Sequence, residues 1–337
     1  MNPTIPFPCF LVDKADDGSV TTAVSTTTLD DLPLGDVVIE VAWSSLNYKD
    51  ALACQGHPGV VRTFPLVPGI DCAGRVARSD SPSFKEGDEV LLTGYGLGVE
   101  RWGGFAAFVR APAEWIVPLP EPLTVRECMI YGTAGFTAAQ AVTAIRDRGI
   151  EPASGPVVVT GATGGVGSIA VAILAKLGYE VTAVTGKIDQ HDLLRQLGAR
   201  VIVNRDEVVD TSSRPLLKAR WSAAIDTVGG VPLATILRGT QHRGCVAACG
   251  LVAGHELPLT VHPFILRGIT LAGIDSAACP RPQRLEMWRR LASEWRVDSL
   301  EWLASEITLA ELPARVDAIL SGQVVGRTLV NPGATAV

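Results

Sequence analysis

The sequence predicts an α/β fold in two parts, a β-rich segment followed by a doubly wound parallel sheet built to receive a dinucleotide. Three observations carry that prediction. Residues 156–178, PVVVTGATGGVGSIAVAILAKLG, read as an apolar β-branched strand, a turn with almost no side chains, and a helix. Strand and helix then alternate as far as Val203, in the βαβαβ order that such a turn requires. The chain before this turn has a different texture, with short alternating segments punctuated by Gly, Pro and Asp.

In chain order, Phe7–Val12 and Val37–Trp43 are expected strands, the second with Val37, Ile39, Val41 and Trp43 on one face. Ser44-Ser-Leu-Asn-Tyr-Lys-Asp50 leaves that strand and opens a short helix, so Asn47, Tyr48, Lys49 and Asp50 crowd polar groups at a strand end. Spacing alone favours capping of the helix by Asn47, with a packed tyrosine, over catalysis. Gly74–Ala77, Asp88–Leu92 and Phe105–Arg110 add further strands, and the set suggests a partly closed barrel.

In the glycine turn, Ala162, Gly164 and Gly167 fall on the three positions of a dinucleotide fingerprint, with Ala in the first glycine slot. Bare N–H groups and the helix dipole then face a negative charge, which makes Thr163, Gly164, Gly165 and Val166 the expected pyrophosphate contacts. The competing reading is a membrane span, because no charge occurs from Pro152 to Ala175. Five glycines and two prolines in that stretch argue against it. Gly178 stops the helix, Glu180–Val184 is the second strand, and Leu193–Gly198 closes a second helix before Val201–Val203.

The whole chain sets outer limits. Its 337 residues are enough for two domains, and 47% apolar against 19% charged residues leaves ample core material. A net charge of −6 gives no general attraction to phosphate backbones, so no nucleic-acid partner is expected. The start, Met1-Asn-Pro-Thr-Ile5, has neither a basic region nor an apolar core of a secretion signal, and no membrane partner is expected. Seven scattered cysteines without a C-x-x-C pair suit reduced thiols in a cytoplasm and leave no set that would hold a structural zinc. The five histidines are spread out and no Gly-x-Ser-x-Gly elbow occurs, which disfavours a nucleophilic hydrolase.

Pro68-Gly-Ile-Asp-Cys-Ala-Gly-Arg-Val76, read with the glycine turn, resembles the medium-chain dehydrogenase/reductase superfamily, which joins a GroES-like β domain to a Rossmann domain in this order. Its zinc-dependent members carry Gly-His-Glu, two residues and Gly, the His binding metal. Here the pattern reads Gly69-Ile70-Asp71-Cys72-Ala73-Gly74, and isoleucine cannot ligate, so no metal is expected. Ser45–Leu52, Phe64–Asp71, Thr93–Gly98 with Trp102–Gly104, and Gly132–Ala138 narrow the resemblance to the zinc-free, quinone oxidoreductase-like branch called acryloyl-CoA reductases. It implies a GroES-like β-barrel catalytic domain from 1–128 and 303–337 and a Rossmann NADPH-binding domain from 129–302, with a substrate cleft between them.

An NAD enzyme of this fold usually carries an acid after the second strand, where this chain has Thr185-Gly186-Lys187. A hydroxyl, an N–H and an ammonium suit a 2′-phosphate, each charge-assisted bond contributing roughly 1.5–3 kcal/mol. Lys187 could equally be a solvated loop lysine, but its place directly after the strand favours phosphate contact and hence NADPH. By resemblance, Arg205 sits at the adenosine phosphate, Leu251, Ile265 and Ser276 line the cofactor, Asn331 reaches it from the returning C-terminal segment, and Tyr48 contacts it from the β domain. Spacing alone would make Leu251 and Ile265 core residues. Leu285, Trp288, Leu291 and Trp295 recur at helical spacing and are expected in a packed face. Gly268–Ile274 reads as an edge strand, where superfamily members commonly dimerise, and a homodimer is expected.

The resemblance implies NADPH-dependent reduction of the carbon–carbon double bond of acryloyl-CoA to propanoyl-CoA, with Tyr48 as the leading catalytic residue and Asn47 and Asp50 beside it. Two competitors remain: an NADPH:quinone oxidoreductase, and an NADPH-binding sensor or structural protein without turnover. Arg62, Arg75, Arg101 and Arg267 are the cations a CoA substrate would call on and a quinone would not.

Overall fold

The structure is a computed structural model that describes residues 6–334. The Met1–Ile5 start, read above for a leader, lies outside them. The chain forms two compact units. One comprises the chain up to Thr133, Ala277–Ala292, and the chain from Leu300 onward; the other comprises Ala134–Ser276 with Ser293–Ser299.

The first unit begins with an antiparallel hairpin, β1 (Phe7–Lys14) and β2 (Val20–Thr27). β3 (Val37–Leu46) follows, then helix α1 (Tyr48–Cys54) and strands β4 (Asp71–Ser79), β5 (Glu89–Thr93), β6 (Phe108–Ala111) and β7 (Val117–Pro118). β3 is the hub, pairing with both β4 and β6. Its Val37, Ile39 and Val41 are buried as alternation predicts, with Glu40 and Ala42 exposed. Trp43 departs from that face and is half-buried, because the register against β4 shifts between Val41 and Trp43. The inward residues join a cluster containing Val76, Val90, Leu92 and Val109.

Helix α2 (Val125–Arg146) is long and apolar enough to cross a bilayer by length and composition, and most of it is buried within the protein. It is broken at Gly132, whose φ of 48° and ψ of −154° no helix contains.

The second unit contains the predicted alternation: β8 (Val157–Val159), α3 (Gly165–Lys176), β9 (Val181–Val184), α4 (His191–Gln196), β10 (Val201–Val203), β11 (Trp221–Asp226), α5 (Gly230–Gly239), β12 (Thr240–Ala248), α6 (His262–Arg267) and β13 (Thr270–Gly273). The sheet order is β10-β9-β8-β11-β12-β13, all parallel, which is the Rossmann order with a topological switch between β8 and β11. β8 is covered on both faces, so all three of its valines are fully buried, each contributing about 1.5–3 kcal/mol. The uncharged run 152–175 is divided into a turn, a strand, a loop and a helix, none long enough to span a bilayer.

The chain then returns to the first unit with α7 (Arg281–Ala292), β14 (Ala304–Thr308), α8 (Leu312–Leu320) and β15 (Arg327–Asn331). β15 joins the barrel sheet antiparallel to β3 and parallel to β14. The packed face of α7 differs from the expected stripe: Leu285 is 39% exposed, Trp295 lies beyond the helix end, and the buried residues are Arg284, Met287, Trp288, Leu291 and Ala292. Arg284 can be buried because its guanidinium donates to the Thr93 carbonyl and hydroxyl, both at 2.7 Å. All seven cysteines are free thiols, six of them buried.

Candidate functional site

The nucleotide corner lies at the carboxyl ends of β8, β9 and β10. After β8 the chain turns at Gly161 with φ of 56°, and a Cβ there would stand 2.3 Å from the Thr227 hydroxyl. That hydroxyl donates to the Thr160 carbonyl at 2.9 Å, and Thr160 Oγ1 donates to Asp226 Oδ1 at 2.8 Å. The Asp226 carboxyl also accepts the Gly229 N–H at 2.7 Å, so the ends of β8 and β11 are tied together. Burial pushes the Asp226 carboxyl above its ordinary range.

Gly164 caps α3 without any side-chain bond to the first turn, which leaves the amides of Gly165, Val166 and Gly167 directed outward. Gly167 packs against the turn so closely that a Cβ would lie 2.3 Å from the Gly161 carbonyl oxygen. Thr163 and Thr185 are buried with their hydroxyls 3.5 Å apart, and Thr185 Oγ1 accepts the Lys187 N–H at 3.0 Å. Over the exposed Gly186 lies the Arg205 guanidinium, whose Nε would be 2.4 Å from a Cβ at that position. Thr185, Gly186, Lys187 and Arg205 therefore form one corner, with two cations and no carboxylate among these four. Partial burial holds the Lys187 ammonium below its usual pKa, and the Asp189 charge opposes that effect without cancelling it. Bare amides at a helix start and a cationic corner one strand away fit a phosphorylated dinucleotide.

Leu251 and Ile265 are not core residues: they are 60% and 72% exposed. Ser276 is half-buried in the same unit. Asn331, in the first unit, uses its side-chain oxygen to accept the N–H groups of Gly333 and Ala334, both at 3.1 Å.

The polar cluster at Asn47 to Asp50 is larger than its local sequence suggests. Asp50 is fully buried and its carboxyl accepts from the Asn47 backbone (2.8 Å), the Asn47 amide (3.1 Å), Gly69 N–H (3.2 Å) and Ile70 N–H (2.8 Å). Ile70, at the metal-binding position of the zinc enzymes' motif, thus contributes a backbone donor. Asp71, also fully buried, accepts from Ser45 Oγ (2.7 Å), Asn47 Nδ2 (2.8 Å) and both the N–H and hydroxyl of Thr133 (2.9 and 2.6 Å). From β15, Arg327 donates to Ser45 Oγ (2.8 Å), Asn47 Oδ1 (3.2 Å) and the Ile130 carbonyl (2.9 Å).

The Asn47 amide therefore bridges two carboxyls while its oxygen faces the guanidinium. One buried cation stands against two buried acids. Burial first, and the Asp71 charge second, push the Asp50 carboxyl up to about 7. The break in α2 serves this cluster: a Cβ on Gly132 would lie 2.5 Å from Asp71 Oδ2 and 2.8 Å from an Arg327 nitrogen. Tyr48, the first residue of α1, is half-buried, and its phenol makes no hydrogen bond among the described residues. Ser45, Asp71, Thr133 and Arg327 were not singled out from the sequence. The available signal was a charged residue inside an apolar strand, in PGIDCAG and in VVGRTLV.

Comparison with known proteins agrees with this architecture. Residues 33–121 match the alcohol dehydrogenase GroES-like domain family, and residues 165–293 match the zinc-binding dehydrogenase family. The chain is 48% identical over 329 residues to the acrylyl-CoA reductase AcuI of Ruegeria pomeroyi, covering 97% of this chain and 100% of the relative. The crystal structure of the yhdH oxidoreductase from Salmonella enterica in complex with NADP is similar at 50% identity and a TM-score of 0.93, covering 96% of this chain and 99% of that one. The Bacillus subtilis protein yhfP with NAD bound is similar at 45% identity and a TM-score of 0.94, covering 97% and 100%.

Proposed function

The chain belongs to the medium-chain dehydrogenase/reductase superfamily, in its quinone oxidoreductase-like branch beside the acrylyl-CoA reductases, and on that premise we propose that it reduces the carbon–carbon double bond of acryloyl-CoA to propanoyl-CoA with NADPH. The observation that carries the substrate assignment is the 48% identity to the Ruegeria enzyme over 97% of the chain. For the cofactor, the support is the corner of Thr185, Gly186, Lys187 and Arg205, which offers a 2′-phosphate two cations.

The amides of Gly165 and Val166, with Thr163 and Gly164 in the same turn, hold the pyrophosphate, Lys187 and Arg205 the 2′-phosphate, and Leu251, Ile265, Ser276, Asn331 and Tyr48 the remainder of the cofactor. The exposure of Leu251 and Ile265 suits this role, since apolar side chains left in solvent gain by covering a flat ring. Bound there, NADPH supplies a hydride to the β-carbon of the enoyl thioester.

The thioester oxygen accepts the charge that develops, and the α-carbon then takes a proton. The Tyr48 phenol, free of any described partner within the protein, serves as the hydrogen-bond donor to that oxygen or as the proton source. Asn47 and Asp50 position Tyr48 rather than touch substrate: both are buried and their polar groups are engaged in the network below the start of α1. Segments 1–128 and 303–337 form the catalytic domain and 129–302 the NADPH-binding domain in this scheme, with α7 packed onto the former. Unpaired cysteines suit a reducing cytoplasm.

Association into a homodimer is part of the same proposal. β13 ends the sheet with one edge open, and on α6 and the turn before it Val261 and Leu266 are 62% and 55% exposed. Sedimentation that gives a monomer at micromolar concentration would remove it.

The reaction is tested by following deuterium. Reduction of acryloyl-CoA with NADPH deuterated at C4 should place label on the β-carbon of propanoyl-CoA, and reaction in D2O should place it on the α-carbon. Absence of propanoyl-CoA would end the proposal.

A further inference from the structure

We propose that Arg101, seated on the stacked rings of Trp115 and Tyr95, anchors a phosphate group of the CoA portion of the substrate, an inference that rests on the acyl-CoA reading above. Of the four arginines that the sequence offers for this purpose, the structure occupies two. Arg75 pairs with Glu89 at 2.9 Å. Arg267 donates to the carbonyls of Arg238 and Thr240, both at 2.9 Å, and so closes the end of α5. Arg62 is exposed, with no described contact to order its side chain.

Arg101 differs from all three. Its residue is half-buried, its guanidinium carbon lies 5.6 Å from the centroid of Trp115, and its buried Nε has no hydrogen-bond partner. No carboxylate among the described residues stands within ion-pair distance of it. The terminal nitrogens of the fork are not among the buried atoms and bond to nothing described, so they are open to a phosphate oxygen. The cation–π contact with Trp115 uses no N–H of the fork and so leaves its terminal nitrogens for a bidentate anion.

The platform beneath Arg101 is fixed. Trp115 and Tyr95 stack at 5.4 Å with 14° between their planes, and the Arg284 guanidinium lies over the Tyr95 ring at 4.2 Å. Tyr95 itself is held with φ of 59°, its N–H donating to the Ala277 carbonyl at 2.9 Å and its phenol to the Cys279 carbonyl at 3.4 Å. Arg284 is anchored in turn by Thr93. A cation preset in this way loses little freedom on binding.

NADPH also carries phosphates, and calorimetric titration separates the two sources. CoA, pantetheine and NADPH are each titrated into the full-length wild type, Arg101→Ala and Arg101→Lys. The expected result is a loss of about tenfold or more in CoA affinity for Arg101→Ala, a smaller loss for Arg101→Lys, and no change for pantetheine or NADPH. Since the Arg101 side chain makes no hydrogen bond among the described residues, both variants should fold, and unchanged NADPH binding reports that they have. Equal CoA affinity in wild type and Arg101→Ala, a loss that falls on NADPH or equally on pantetheine, or a wild type that does not bind CoA, would each overturn the proposal. Arg101-dependent CoA binding without reduction of acryloyl-CoA would instead remove the reduction reading and leave this site standing.

Discussion

Arg327 of β15 and Asp71 of β4 meet at 3.8 Å with side chains 3% and 0% exposed, and the hydroxyl of Ser45 bonds to both. The last strand of the chain is thereby joined to the strand that follows α1 and, through Thr133, to the broken helix α2. Desolvation lowers the pKa of the guanidinium, and the two nearby carboxyls oppose that effect.

Removing one partner of such a pair leaves the other charge buried and unmatched. Arg327→Met is therefore expected to destabilise the fold by about 3–5 kcal/mol, read as a fall in the urea midpoint. Adding Asp71→Asn to that variant should recover part of the loss. A single-variant effect below about 1 kcal/mol, the range of exposed pairs, would show that the charges are not opposed as described.

Asp50 makes stability depend on pH near neutrality. Its folded pKa of about 7 lies above the ordinary 3.8, so the folded state binds this proton more tightly than the unfolded chain does. The resulting stabilisation is full below the unfolded value and is lost as pH rises through about 7, a change on the order of 4 kcal/mol across that window. Asp50→Asn removes the titrating proton while keeping an oxygen to accept the N–H groups of Gly69 and Ile70, and should flatten the slope between pH 4 and 7. An unaltered slope would place the titration elsewhere.

Lys187→Glu sets a carboxylate where the 2′-phosphate is proposed to lie. Its Michaelis constant for NADPH should rise about tenfold or more, the worth of one charge-assisted bond, with little change for NADH. Equal effects on the two nucleotides would contradict the phosphate assignment.

Tyr48→Phe keeps the ring and removes the hydroxyl. Turnover should fall by about tenfold or more while the thermal midpoint stays within a few degrees, because the phenol supports no described bond in the protein. Unchanged turnover would exclude Tyr48 from the chemistry.

The nucleotide half was legible from sequence because its signals are local. Strand, glycine turn and helix occupy neighbouring residues, and Gly161 and Gly167 are required by contacts within the turn and with the adjoining strand end. The barrel cluster was not legible in the same way. Arg327 and Ser45 are separated by 282 positions, and only the pairing of β15 with β3 brings them together. Periodicity also failed where burial has a polar cause: Arg284 replaces Leu285 on the inner face of α7 because Thr93 supplies acceptors to its guanidinium. Leu251 and Ile265 failed in the opposite sense, since apolarity alone does not distinguish a core position from an exposed one.

The central claim is tested most directly by comparing kcat/KM for NADPH oxidation with acryloyl-CoA, crotonoyl-CoA and a benzoquinone on one preparation. Acryloyl-CoA should give the highest specificity constant. A preference for the benzoquinone would make the protein a quinone reductase, and no oxidation with any of the three would leave it a nucleotide-binding protein without this activity.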